Sequence, residues 1–437
     1  MRGRSYLIGV MLAGLVTIVL PAVPARAVSG GTLDPTFGSG GKLLTDFGGQ
    51  EMAYGVRVQA DGKIVAAGFS NTDGNHDFAL ARYDRDGTLD PTFGTGGKVL
   101  TDVSGAGSYD EARAVAVEPD GKILAAGSSD AGGSTDFAVV RYDGDGTLDP
   151  TFGAGGKVLT DLGGAGRYDG AYAVAVEPDG KILAAGFSDA GGSTDFAVVR
   201  YDGDGTLDPA FGAGGQVLTN FGGSDYAYAV AVQGDGKVVA AGSSDAGGST
   251  DFALVRYNND GSLDGRFGGG GKVLTDVSGR GSEDDARAVA VQADGEIVAA
   301  GRSNAVRDTD RDFALVRYNN DGSLDGRFGG GGKVLTDVGG GSNDVALAVA
   351  VQADGKIMAA GGSGSVRTAD FALARYNDDG TLDGRFGAGG TVSTDVSGAG
   401  HNNEAFAVAV QADGKIMAAG VVSGLGWSDF ALTRYQP

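Results

Sequence analysis

Hydrophobic and polar positions along the chain form short β-type segments rather than helical stripes. One stretch contains KVLTD (98–102), ARAVAVE (112–118), KILAAG (122–127) and DFAVVRY (136–142). Each segment is rich in small, β-branched or aromatic residues and is bounded by Gly, Asp, Asn or Pro, which is typical of strands and turns. A tight Pro-Asp-Gly turn joins the second segment to the third and predicts a hairpin. No stretch has a 3.6-residue apolar period, so we expect little helix.

The set of four segments recurs seven times. A Leu-Asp pair marks each repeat, at successive spacings of 56, 59, 59, 56, 61 and 58 residues. Because both faces of the strands are apolar or small, each sheet must be covered on both sides. Four-stranded sheets that stack face to face around an axis meet this requirement. We therefore predict an all-β fold, a seven-bladed β-propeller with four-stranded antiparallel blades. It forms a single domain over residues 28–437 with repeats of about 58 residues.

The order of the segments predicts how the ring closes. The AVAV segment, with its alternate alanines, suits the crowded innermost strand, and KVLTD is then the outermost strand. The chain begins with an outer strand, KLLTD (42–46), and ends with the three inner segments of a blade. We expect the N-terminal strand to complete the last blade, which closes the ring without an end cap.

Residues 1–27 are predicted to be a secretory signal peptide. Arg2 and Arg4 precede the apolar run from Tyr6 to Leu20, and Ala25-Arg26-Ala27 gives a small-residue cleavage pattern. The apolar run is too short for a membrane anchor, and no later segment is long enough to span a bilayer. We expect a secreted, extracellular protein with no membrane span.

Composition narrows the class of partner. The formal net charge is −22, and no cysteine is present to form a disulfide. An acidic surface repels nucleic acid and anionic membranes but suits divalent cations or a basic partner. We expect a monomer that binds no nucleic acid.

The repeat pattern LDPTFGxxGKVLTD…AVAVQADGKIVAAG…DFALxRYNxDGSLD resembles the delta-60 repeat family of secreted and surface bacterial proteins. The resemblance covers essentially all of residues 28–437. It implies a propeller and a bacterial extracellular location, but no catalytic residues and no established activity. The last three repeats depart from the pattern, since Arg266, Arg327 and Arg385 follow LDG in place of LDP.

The acidic turn after the third strand has two interpretations. Its spacing of Asx residues is similar to that of a calcium loop, which supplies oxygens at alternating positions and a late bidentate acid. The turn has two early Asx positions rather than three, and it has no late Glu. The alternative is a turn in which Asp and Asn cap the backbone and Gly takes positive φ. The calcium candidates are Asp84, Asp86, Asp90, Asp143, Asp145 and Asp149. No other cofactor is expected.

One position of the inner strand varies between repeats while the alanines around it stay fixed. A uniform ring cannot create an asymmetric site, so this position is the better candidate for ligand binding. Aromatic and charged residues at a concave channel mouth suit a small polar ligand. The alternative is that these side chains only fill space between blades. The ligand-binding candidates are Tyr54, Arg113, Tyr172, Tyr228, Arg287 and Phe406, with Leu347 at the same position, and Trp427 as an exposed aromatic.

Three classes of function remain open. The favoured one is a binding module for a carbohydrate or protein ligand at the channel mouth. A second is a propeller enzyme, a polysaccharide lyase or hydrolase that uses carboxylate, Tyr or Arg groups there. A third is a purely structural surface protein. The sequence contains no GxSxG, HExxH, P-loop or dinucleotide fingerprint.

Overall fold

A computed structural model describes residues 30–437, apart from residues 73, 106, 131–132, 165, 280, 305–309, 341–342, 366–367 and 399. The predicted signal peptide, residues 1–27, lies outside the described residues. The described residues contain no α-helix, and so none of them forms an apolar helix that could cross a membrane.

In the part of the chain that the structure describes, twenty-eight strands form seven four-stranded antiparallel sheets, which confirms the predicted propeller. Blade 1 contains β2 (Glu51–Val58), β3 (Ile64–Ser70), β4 (Asp77–Tyr83) and β5 (Lys98–Thr101). Blade 2 contains β6 (Asp110–Val117), β7 (Ile123–Asp130), β8 (Thr135–Tyr142) and β9 (Lys157–Thr160). Blade 3 contains β10 (Asp169–Val176), β11 (Ile182–Ser188), β12 (Asp195–Tyr201) and β13 (Gln216–Thr219). Blade 4 contains β14 (Asp225–Val232), β15 (Val238–Ser244), β16 (Asp251–Tyr257) and β17 (Lys272–Thr275).

The second half of the ring repeats the same order. Blade 5 contains β18 (Asp284–Val291), β19 (Ile297–Asn304), β20 (Arg311–Tyr318) and β21 (Lys333–Thr336). Blade 6 contains β22 (Asn343–Val351), β23 (Ile357–Gly364), β24 (Asp370–Tyr376) and β25 (Thr391–Thr394). Blade 7 contains β26 (Asn402–Val410), β27 (Ile416–Gly424), β28 (Trp427–Tyr435) and the N-terminal strand β1 (Lys42–Thr45).

The ring closes as predicted. Strand β1 pairs antiparallel with β28, with Lys42 opposite Thr433 and Thr45 opposite Phe430. The two ends of the described chain therefore share one sheet, and the closure joins residues almost 400 positions apart.

The apolar core lies between blades rather than within them. Val65 and Leu80 of blade 1 pack with Val115 and Ile123 of blade 2, and all four are buried. The same arrangement recurs around the ring and includes the junction of blade 7 with blade 1. The first strand of each blade contacts its equivalents in neighbouring blades, so these strands line the central axis. Because both faces of each sheet are buried, the strands do not show the alternation of apolar and polar residues that a half-exposed sheet has.

Polar ties reinforce each interface between blades. The Tyr142 hydroxyl donates to Thr101 Oγ1 of the preceding blade at 2.9 Å. Arg141 donates through its Nη1 to the carbonyl oxygen of Gly203, in the turn of the next blade. These contacts connect Tyr142 and Arg141 of blade 2 to both neighbouring blades.

Candidate functional site

A β-bulge in each inner strand places the variable residue in the central channel. In blade 3, Ala171 pairs with Gly186 and Ala173 with Ala185, which leaves Tyr172 as the extra residue. The same irregularity occurs in the other six inner strands. A bulge redirects a side chain out of the normal alternation. The bulge residues, which we call the channel mouth, are Tyr54, Arg113, Tyr172, Tyr228, Arg287, Leu347 and Phe406, and all seven line one cavity of about 160 Å³.

A glycine on the second strand makes each bulge possible. A Cβ atom on Gly186 would lie 1.8 Å from the carbonyl oxygen of Gly170, the residue two before the bulge. The equivalent glycines of the other blades have the same close contact at 1.7–1.8 Å. The glycine that every second strand has at this position therefore follows from the approach of the bulged backbone.

Aromatic side chains form a cluster on the blade 3 and 4 side of the channel mouth. The rings of Tyr172 and Tyr228 lie 5.2 Å apart between centroids, and Phe187 lies 5.4 Å from Tyr172. Tyr226 stacks nearly parallel on Tyr228. Burial raises the pKa of the Tyr172 phenol to about 12, so its hydroxyl stays neutral and able to donate a hydrogen bond. Half-buried aromatic rings that also carry hydroxyl groups suit ligand contact.

The two mouth arginines lie against tyrosine rings. Arg113 stands 4.2 Å from the centroid of Tyr54, and Arg287 stands 4.1 Å from that of Tyr228. Each guanidinium also pairs with an acid two residues before it, Arg113 with Glu111 and Arg287 with Asp285. The channel mouth therefore contains aromatic ring faces next to arginines that are paired with carboxylates.

A larger pocket of about 530 Å³ opens beside the mouth, across blades 5, 6 and 7. Arg287, Arg302, Arg311 and Glu404 line it together with Phe406. Burial raises the pKa of Glu404, although the charges of Arg302 and Arg287 oppose this effect. Arg287 and Arg302 share the carboxylate of Asp285, so two guanidinium groups face one negative charge there. With Arg311 beside them, the pocket suits a ligand that carries a carboxylate or sulfate.

Trp427 lies apart from the residues that line these two cavities. It begins β28, is half-buried, and packs edge-on against His401 with 5.0 Å between ring centroids. The other histidine, His76, stacks on Phe69 and lies 2.8 Å from Glu111 Oε1.

Three residues that border the channel mouth were not predicted from the sequence. They come from the residue two before the bulge and from the position after the glycine of the second strand, and they are Phe187, Tyr226 and Arg302. The signal was present, because both positions vary between repeats. Arg57 was also missed: it projects into the same channel where the other six repeats have alanine. Desolvation by the surrounding channel wall lowers its pKa, although the lumen leaves it open to solvent.

The calcium candidates of the turns lie on the opposite rim from the bulges, and they bind cationic side chains and backbone amides. Asp149 is 1% exposed and accepts from Arg141 Nε at 2.8 Å and Lys122 Nζ at 2.7 Å. Asp143 also accepts from Lys122, and Asp145 accepts from the amide and hydroxyl of Thr147. The equivalent contacts one repeat earlier join Asp90 to Arg82 and Lys63, Asp84 to Lys63, and Asp86 to Thr88. These contacts are those of a structural latch, and calcium at the turns stays a prediction.

Acidic residues also meet at the blade junctions on the rim of the channel mouth. At the junction of blades 2 and 3, Asp136, Asp161 and Asp169 each place an oxygen within 4.8 Å of the others. Burial and the nearby charges of Asp161 and Asp169 raise the pKa of Asp136 to about 6. Equivalent triads are Asp77, Asp102 and Asp110; Asp251, Asp276 and Asp284; and Asp46, Glu51 and Asp429.

Comparison with known proteins identifies the repeat. The family described as "Domain of unknown function (DUF5122) beta-propeller" matches residues 59–93, 118–152, 177–211, 233–267, 292–328 and 352–386. These segments cover the second and third strands and the acidic turn, and they leave out the bulge residues. No curated protein is significantly similar to this chain.

Solved structures with a similar chain path share little sequence. Sqt1 of Chaetomium thermophilum is 13% identical with a TM-score of 0.47, over 89% of this chain and 96% of that one. The polysaccharide lyase Uly1 is 12% identical with a TM-score of 0.45, over 88% and 89%. A chain from the complex of Drosophila Plexin A with Semaphorin 1b is 10% identical with a TM-score of 0.44, over 93% and 88%. The repeat matches and the seven observed blades together identify the chain as a protein built from β-propeller repeats.

Proposed function

We propose that this protein is a secreted member of the delta-60 repeat family that binds an extracellular carbohydrate or protein ligand at the channel mouth. One observation carries the proposal. The seven residues that the bulges direct into the channel differ between repeats, whereas the residues that hold the blades together repeat almost without change. An asymmetric site in a symmetric ring must be built from the positions that vary.

The aromatic cluster of blades 3 and 4 suits the proposed ligand. Tyr172, Phe187, Tyr226 and Tyr228 present ring faces and phenol hydroxyls within 6.1 Å of their neighbours, measured between ring centroids. Sugar rings pack their C–H faces on such surfaces, and an extended peptide uses the same combination of apolar contact and hydrogen bonding. The half-buried rings need little reordering when a ligand binds, which lowers the entropic cost.

Binding to a glycan and peptide array tests the proposal, with the mature chain and a Tyr172→Ala/Tyr228→Ala double variant. The matched control is Arg266→Ala, which removes an exposed side chain on the opposite rim. We expect at least a tenfold loss of binding in the double variant and wild-type binding in the control. Equal binding by all three proteins would place the ligand elsewhere. No binding by the wild type to any array member would favour the structural role.

A second candidate is an enzyme that acts on an acidic polysaccharide, and the pocket of Arg287, Arg302, Arg311 and Glu404 favours it. Guanidinium groups would neutralise a sugar carboxylate, and a carboxyl group with a raised pKa is suited to proton transfer. Depolymerisation of uronate-containing polysaccharides by the wild type, and its loss in Glu404→Gln, would support this function. Polysaccharides that stay intact with the wild type would exclude it.

A further inference from the structure

The acidic triad at the junction of blades 2 and 3 has an unusual lack of partners. Asp136 is 9% exposed, and its Oδ1 atom accepts no hydrogen bond from the described residues. Asp169 is fully buried, and its Oδ1 is equally unpartnered, while its Oδ2 accepts from the amides of Leu162 and Gly163. Asp161 is exposed and turns its Oδ1 to the amides of Gly163 and Gly164. Buried anionic oxygens without a donor are rare in proteins.

Five other junctions receive a lysine from the next blade. Lys157, for example, extends from β9 and donates to the backbone oxygen of Asp102 at 2.6 Å, beside the triad of blades 1 and 2. Lys98, Lys272, Lys333 and Lys42 make the same contact at their junctions. In blade 3 the equivalent residue is Gln216. The triad of blades 2 and 3 therefore combines three carboxylates with no ammonium group at that position.

We propose that Asp136, Asp161 and Asp169 form a binding site for one Ca²⁺ ion at the junction of blades 2 and 3. The donors are carboxylate oxygens only, which a hard cation prefers. Two oxygens on opposite sides of a Ca²⁺ ion lie up to about 4.6–5.2 Å apart, given Ca–O distances of about 2.3–2.6 Å. One oxygen from each carboxylate of the triad lies within 4.8 Å of the other two. Mg²⁺ requires oxygens closer together, since its bonds are about 2.0–2.1 Å long. Water completes the coordination on the exposed side of Asp161.

The site is distinct from the acidic turns that resemble a calcium loop. Those turns lie at the other end of the third strand, and their carboxylates already accept from Lys, Arg and Thr side chains. In the triad, by contrast, the unpartnered oxygens belong to the two buried carboxylates, Asp136 and Asp169. The site links blade 2, which contributes Asp136 and Asp161, to the first residue of the inner strand of blade 3.

Calorimetric titration of the EGTA-treated full chain with CaCl₂, together with melting curves, tests the site. We expect binding with a Kd between about 10⁻⁵ and 10⁻³ M and a rise in Tm of about 1–3 °C at 5 mM Ca²⁺. Asp136→Asn and Asp161→Asn each lower the Ca²⁺ stoichiometry by one. Both variants are expected to fold, because each removes one of three mutually repelling charges. Mg²⁺ at the same concentration gives a smaller rise in Tm.

The substitution Gln216→Lys adds a positive charge beside the triad and is the counterpart of the two Asp→Asn variants. It introduces the lysine that five other blades use and is expected to abolish Ca²⁺ binding at this junction while keeping the protein folded. Asp145→Asn, in the acidic turn, is the control and keeps full stoichiometry. No heat and an unchanged Tm in the wild type would overturn the proposal. A stoichiometry that survives Asp136→Asn, or that falls only in Asp145→Asn, would also overturn it.

Discussion

The ion pairs of Asp34 with Arg434 and Lys415 join the N-terminal segment to the last blade. Their contacts set the expected size of the effect when Asp34 is replaced. Asp34 is 1% exposed and accepts from Arg434 Nε at 2.8 Å and from Lys415 Nζ at 3.2 Å. Its Oδ1 caps the amide and hydroxyl of Thr36. Truncation of one partner of a buried ion pair costs about 3–5 kcal/mol, because the other charge stays buried. Loss of the cap adds about 1 kcal/mol.

Two contacts reduce that cost. The Arg434 guanidinium keeps its bond to the carbonyl oxygen of Arg85 and its position 4.8 Å from the centroid of the Phe37 ring. Lys415 is partly exposed and stays solvated without Asp34. We therefore expect Asp34→Ala to lower the free energy of unfolding by about 3–4 kcal/mol at pH 7. Asp34→Asn is expected to lower it by less, because the amide oxygen still caps Thr36.

The effect of pH on this latch has a definite sign. Burial opposes ionisation of Asp34, but hydrogen bonds from Thr36 and Lys415 and the charge of Arg434 outweigh it and lower the pKa to about 2. A carboxyl group with a lowered pKa stabilises the fold fully above its unfolded pKa of about 4. This contribution is lost as the pH falls from about 4 towards 2. The difference in stability between wild type and Asp34→Ala should therefore shrink between pH 7 and pH 3.

Urea denaturation at the two pH values measures this prediction, and Asp149→Ala is the matched control. Asp149 makes the same contacts within one repeat, to Arg141, Lys122 and Thr151, and is also 1% exposed. We expect losses within about 1 kcal/mol of each other at pH 7. Only Asp34→Ala should speed hydrogen exchange in β1, because it releases the N-terminal segment. A loss below about 1 kcal/mol in both variants would refute the view of these pairs as buried latches.

Three further substitutions test the repeat architecture. Gly186→Ala should lower the free energy of unfolding by about 2 kcal/mol or more in urea denaturation, because its Cβ would meet the Gly170 carbonyl oxygen. The control Gly144→Ala has no atom near its new Cβ and should change the free energy of unfolding by less than about 0.5 kcal/mol. Tyr201→Phe removes the buried hydrogen bond to Thr160 Oγ1 and should cost about 1 kcal/mol in the same assay; an unchanged midpoint would show that this tie contributes nothing. Arg57→Ala restores the residue of the other six repeats and should leave the Tm unchanged, because the Arg57 side chain donates only to a local backbone carbonyl among the described residues, that of Val56. A clear fall in Tm would reveal a structural role in the channel.

The repeat pattern by itself determines the architecture. Seven repeats spaced about 58 residues apart, with strands apolar on both faces, require stacked sheets in a ring. The order of segments at the two ends requires β1 to join blade 7. These conclusions hold because they depend on periodicity and burial, which a sequence states directly. The variable inner position, from Tyr54 to Phe406, was also visible as a departure from the repeat.

Only the tertiary structure decided what those residues meet. The bulge that turns Tyr172 into the channel depends on pairing with Gly186, and no spacing in the inner strand reveals an extra residue. The partner of Arg141 is Asp149, eight residues on in the turn, together with a carbonyl oxygen of the next blade. The triad of Asp136, Asp161 and Asp169 spans 34 residues of sequence. Its members converge because the start of β8, the end of β9 and the start of β10 in the next blade lie on the same rim. The repeat period determines how often a residue occurs along the chain. The closure of the propeller determines which charged and aromatic side chains lie within contact distance.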